Sequence, residues 1–298
     1  MNAQRFLTLM QREWMQHRIG WLAVMLSLPV LGLLLMPVPG FVEVNGEVPP
    51  AVGTAAIAML GTAVAAFVLS WVVAMFQLPG LARRDQQDRS IEFWLSLPAT
   101  HTESIGATLL MHALLVPLLA LLVGLLFAPV MAVAAVLKVH GFSGLGAVPW
   151  GQLLTVALIA WVRASTGLVL MTLWLAPIFM TLMVAAAYLK RWGVPLVVGG
   201  VVILGNVMEK IYRDRTVWNL LKHQFEGAGL AFFNASQTME GRGMPQQLEH
   251  ETVGGIAQLM LNDLGAALAN LASPHFIGGL VVAGLCFYLL VLQRSRPA

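Results

Sequence analysis

Residues 105–137 read IGATLLMHALLVPLLALLVGLLFAPVMAVAAVL, with no Asp, Glu, Lys or Arg anywhere in the run. Crossing about 30 Å of hydrocarbon takes roughly 20 apolar residues as a helix, so this stretch can span a bilayer. Working outward, residues 19–36, 51–76, 166–188, 194–208 and 276–292 share its character, and none of the six runs carries an acidic residue. Only 194–208 falls short of a full crossing. With 58% hydrophobic and 10% charged residues, the chain has lipid rather than water as its main solvent. The expected fold is all-α, a polytopic membrane protein with six transmembrane helices forming a single domain over residues 1–298.

What the runs lack narrows the function. An ion-driven transporter normally keeps an ionisable group at membrane depth, where a charge is costly and is retained only for work. The six runs offer no acidic group for that role, so any transport should draw its energy from outside the membrane. The one cysteine, Cys286, lies within the last run, which excludes a disulfide framework or a cysteine metal site within one chain. A net charge of +3, spread among segment ends, gives no stripe for nucleic acid.

Lys and Arg set the expected orientation. Arg5, Arg12 and Arg18, then Arg83, Arg84 and Arg89, then Lys190 and Arg191, then Arg294 and Arg296 mark four cytoplasmic regions, including both termini. Glu43 and Glu47 mark an external connection, and Lys138 and Arg163 are the only cations of another. Lys210, Arg213, Arg215 and Lys222 oppose this count, but long loops translocate largely regardless of charge, and theirs runs over 209–275. Phe6, Leu9, Met10 and Trp14 recur at helical spacing opposite Arg5, Arg12, Glu13 and Arg18, which predicts an in-plane helix over residues 1–18. Trp14, Trp21, Trp71 and Trp192 read as interfacial anchors. Residues 150–163 read as a separate helix on the outer surface, with Arg163 snorkelling to the headgroups.

Residues 80–104, GLARRDQQDRSIEFWLSLPATHTES, form the most informative connection. Charges crowd its first half, and Ile91, Trp94 and Leu95 then make an apolar stripe. Leu97-Pro98 ends that short helix, and Thr100 with Glu103 reads as a capping box opening the third span. Such a helix across the mouth of two spans can act as a lever; a solvated loop whose arginines only enforce topology fits the pattern equally.

The loop resembles that of ABC-2 type transporter permeases, the membrane-spanning subunits of bacterial ABC exporters. Arg84-Asp85 and Asp88 match the family's charged cluster, Glu92-Phe93-Trp94-Leu95 its short helix, and Ser96-Leu97-Pro98 the end of that helix. Arg89-Ser90 stands where Gly-Thr is common. The resemblance implies a coupling helix in which Arg83, Arg84, Asp85, Asp88, Arg89, Ile91, Glu92, Trp94 and Leu95 dock on a cytosolic ATP-binding subunit. It further implies a second permease copy or a similar permease as partner, ATP and Mg on the ATPase rather than in this chain, and residence in the bacterial inner membrane.

No G-x-x-x-x-G-K-[ST] motif and no H-E-x-x-H motif occurs, so neither phosphate cradling nor that zinc chemistry is expected here. The seven histidines are scattered, and His112 reads as a hydrogen-bonded helix residue. In the long loop, Val217, Leu220, Leu221 and Phe225 predict a short helix. Ile256, Leu259, Met260, Leu264, Ala267, Leu268 and Leu271 predict an amphipathic one, with Gln258, Asn262, Asp263 and Asn270 on its polar face. Residues 235–251 read as a flexible tip between them. By the resemblance, Ile256, Leu259, Met260, Leu264 and Leu268 belong to an external gate; a packing elaboration is the alternative. The expected function is therefore a non-catalytic permease subunit embedded in membrane lipid. An integral membrane enzyme or a scaffold subunit acting at the outer leaflet stands as the alternative.

Overall fold

A computed structural model describes residues 3–41, 48–83, 100–233 and 253–295. In chain order its helices are α1 (Ala3–Leu35), α2 (Ala51–Leu81), α3 (His101–Leu109), a π-helical turn (Leu110–Leu115), α4 (Val116–Ala147) and α5 (Trp150–Leu189). After a 3-10 turn (Lys190–Trp192) come α6 (Gly193–Tyr212), α7 (Thr216–Phe232), α8 (Val253–Ala269) and α9 (Pro274–Ser295). Among the described residues, five helical stretches are long and apolar enough to cross a membrane, which makes this an all-α, multi-pass membrane protein. One of them, Trp150–Tyr212, contains two of the six runs seen in the sequence.

Contacts fix the relative directions of the helices. Glu13 meets Thr108, Trp21 meets His112 and Gly32 meets Met131, so α1 runs parallel to the α3–α4 unit. Thr54 meets His140 and Ala63 meets Gly124, so α2 runs antiparallel to α4. At that crossing a Cβ on Gly124 would lie 2.9 Å from the Ala63 Cα, so the glycine is what lets the two backbones touch. Trp174 meets Phe276, Thr181 meets Cys286 and Tyr188 meets the Leu289 carbonyl, so α5 and α9 run parallel.

Local chemistry explains the irregular turns. Thr100 and Glu103 form the expected capping box at the start of α3, the Glu103 amide donating to Thr100 Oγ1 at 3.2 Å. Pro117 has no N–H for the Ala113 carbonyl, which would accept the residue-117 amide in an α-helix. That carbonyl accepts the Thr172 hydroxyl of α5 at 3.2 Å instead, and the π turn lies immediately before. Gly141, at φ 68°, kinks α4. Between α6 and α7, Arg213 takes the left-handed conformation. Asp214 there accepts the Thr216 hydroxyl and amide, which hold its carboxyl below the ordinary aspartate value.

Three expectations need correction. The leader is not a separate in-plane helix: α1 runs unbroken through residues 18 and 19, about 50 Å in all, because Leu9 and Glu13 are buried and Glu13 is bound to Thr108 of α3. An axis turned into the membrane plane would lose that contact. Residues 150–163 are not a surface helix; they form the first third of α5, with Leu153 buried against α2 and α4. Trp21 is a core residue at 3% exposure, stacked on His17 rather than anchored at an interface.

Candidate functional site

Small residues of α5, Ala157, Ala160 and Ala164, face α2 and α4 across an apolar cleft of about 470 Å³. Met59 and Phe67 of α2, Leu121 and Ala128 of α4, and Ala157, Ala160 and Trp161 of α5 form its walls. Leu60, Val64 and Val68 also line it, yet each is close to half exposed, so the cleft opens sideways onto the outer face of the bundle. The walls offer almost no polar group. The Trp161 indole N–H is buried and has no acceptor among the described residues.

Two helices roof the cleft. The end of α7 brings Phe232 and Phe233 to it, with Phe232 stacked on Phe67 at 5.1 Å between ring centroids. From α8 come Ile256, Leu259 and Met260. What fastens this roof is Arg163 of α5, 3% exposed, whose Nε and Nη2 both lie 2.7 Å from Asp263 Oδ2 of α8. Asp263 is completely buried. The same guanidinium donates to the Ala231 carbonyl of α7 through Nη1 and Nη2 at 3.2 and 3.3 Å. One side chain thus joins three helices, and α7 is held further by Gln224, whose amide donates to the Trp174 carbonyl. A charge so enclosed is tolerable because it is paired and hydrogen-bonded; either partner alone would be strongly penalised.

The expected gate residues divide. Ile256, Leu259 and Met260 line the cleft, whereas Leu264 packs against the core formed by Leu168, Trp174 and Phe276. Leu268 is half exposed and lies off the buried face. At 3.6 residues per turn it stands about 120° round the helix from Ile256. The buried line is Ile256, Asp263 and Ala267, so Asp263 is not on the solvated side where its polarity suggested. Arg163 likewise is paired, not snorkelling. Of the expected coupling residues, Arg83 follows α2, its amide bonded to the Gly80 carbonyl at 3.1 Å. Arg84, Asp85, Asp88, Arg89, Ile91, Glu92, Trp94 and Leu95 lie outside the described residues, as do 235–251.

Compared with known proteins, the chain matches no family model, no curated protein and no solved structure.

Proposed function

We propose that the chain is the membrane-spanning subunit of an ATP-driven exporter for amphipathic, lipid-like molecules. The observation that carries this reading is the apolar cleft, open sideways beneath a roof fastened by one buried ion pair. A cleft of this volume accommodates part of an acyl chain or a comparable apolar group. No chemistry need occur in this chain; ATP and Mg would bind a separate cytosolic subunit.

Six crossings fit the helix directions. Because α5 and α9 run parallel, the chain between them has to return, and α6, with 20 apolar-rich residues or about 30 Å, can make that return. The distribution of Lys and Arg supports cytoplasmic termini in a bacterial inner membrane. The resemblance of the 80–104 loop to the ABC-2 permeases supports docking through Arg83 to Leu95, with a second copy or similar permease completing the path. ATPase closure would then move α2 and α3, the two helices joined by that loop, and so alter the cleft that α2 and α4 border, α4 following α3 through the π turn.

Purification of the full chain from native membranes should bring down a P-loop ATPase whose hydrolysis is stimulated by lipid-like cargo. Ala160→Trp should fill the cleft and remove the stimulation, while Trp94→Ala and Asp85→Arg should uncouple hydrolysis from transport. If no ATPase accompanies the chain, or the Ala160→Trp complex transports at the wild-type rate, this reading is wrong.

A further inference from the structure

Outside the cleft lining, where α3 ends and the π turn begins, two histidines and a carboxylate meet. Glu13 and His17 are four residues apart and so share one face of α1, and His112 faces them from the π turn. Each of the three offers a ligand atom within 4.8 Å of the others'. Glu13 and His112 are buried at 2% and 0% exposure, and His17 is partly buried. We propose that Glu13, His17 and His112 bind a divalent transition-metal ion of the zinc class.

The hydrogen bonds already prepare the rings for coordination. His17 Nδ1 lies 3.2 Å from the Glu13 carbonyl, and His112 Nδ1 lies 3.0 Å from the Thr108 carbonyl. A carbonyl only accepts, so in each neutral ring Nδ1 carries the proton and Nε2 is left as the ligand atom. That arrangement, Nδ1–H to a backbone oxygen with Nε2 as ligand, is how metal-binding histidines are commonly oriented. Thr108 acts twice, since its hydroxyl also lies 3.2 Å from Glu13 Oε1. Trp21 supports the ring planes, stacked on His17 at 5.2 Å and edge-on to His112 at 5.0 Å. His112 lies within the π turn, and such turns recur at functional sites.

Ligand chemistry selects the ion. Two imidazoles and one carboxylate suit zinc, iron, cobalt or nickel, and disfavour calcium and magnesium, which take oxygen sets. Ligand bonds of about 2.1 Å put ligand atoms about 3.4 Å apart in a tetrahedron, so inward side-chain movements of about 1 Å complete the site. Arg12 Nη2, 3.8 Å from Glu13 Oε1, is the competing cation. It would be displaced from the carboxylate or retained at its rim. A bound ion would cross-link α1 to the π turn through ligands distant in sequence. Three protein ligands leave a further position for water or an incoming donor.

The full-length protein, purified in detergent on a tag without histidines and stripped with chelator, should be titrated with cobalt(II) and then displaced with zinc(II). One cobalt per chain should give visible d–d absorption, and zinc should raise the thermal unfolding temperature. Glu13→Gln and His17→Ala should each weaken binding about 10-fold or more and abolish the thermal shift. His17→Ala is the decisive variant, because its ring bonds only within its own helix and its loss leaves Glu13 and Thr108 in contact. His223→Ala, which removes one ring of the separate His223–His275 pair, should bind as wild type. Absent or substoichiometric cobalt binding by the wild type, unchanged binding in His17→Ala, or loss of binding in His223→Ala would each overturn the proposal.

Discussion

Arg163 shows how one side chain can carry the attachment of two helices. Its head group meets Asp263 and the Ala231 carbonyl at almost no exposure, so removing the carboxylate leaves a cation with no means of reaching water. We expect Asp263→Ala to cost about 3–5 kcal/mol in reversible unfolding in detergent. Arg163→Met/Asp263→Leu should cost less than either single change, because it removes both charges together. A strictly additive double-mutant cycle would mean the pair does not interact. Neither residue announced this role in the sequence: an arginine ahead of an apolar run reads as a snorkelling cation, and an aspartate beside Asn262 reads as solvated. Their coupling spans 100 residues, and periodicity carries no information over such a distance.

At the scale of elements, sequence legibility follows the range of the forces involved. The capping box at Thr100 and Glu103 was readable because both partners lie within one helical turn. The amphipathy of α8 was readable too, yet its facing was misjudged by the width of one residue row, because hydropathy ranks Leu268 above Asp263 whereas pairing reverses the order. The leader's helix was legible from spacing, but spacing fixes a face and not the direction of an axis. Leu264→Asp puts a charge against the Leu168–Trp174–Phe276 core and should detach α8, raising the protease sensitivity of residues 253–269 and, under the proposed function, causing leak or loss of cargo stimulation. Normal transport by a folded Leu264→Asp complex would exclude α8 from gating. Gly227→Val should push α7 away from α5, since even a Cβ at Gly227 overlaps the Trp174 ring; a thermal transition unchanged from wild type would contradict this packing.

For the whole molecule, the apolar runs gave the membrane-spanning plan because chain composition alone distinguishes lipid from water as solvent. The Lys and Arg distribution sets an expected alternation, and the contacts give the relative directions: α2, α5 and α9 run one way, α1 and α4 the other. With Cys286 replaced by alanine, single cysteines at Glu47 and Met239 should react with an impermeant thiol reagent outside intact cells, and one at Gln86 should not. Reaction at Gln86 from outside would overturn the six-crossing topology. The distance in sequence between the roof's two charges also has a consequence in time. Ribosomes add about 5–20 residues per second, so Arg163 emerges about 5–20 s before the carboxylate that neutralises it. Through that interval the nascent chain holds the cation without the carboxylate that pairs with it in the folded protein, and the packing of α5 should settle only once α8 has been synthesised. Chains arrested after residue 240 should therefore be degraded faster than chains arrested after residue 298, and Arg163→Met should narrow the difference.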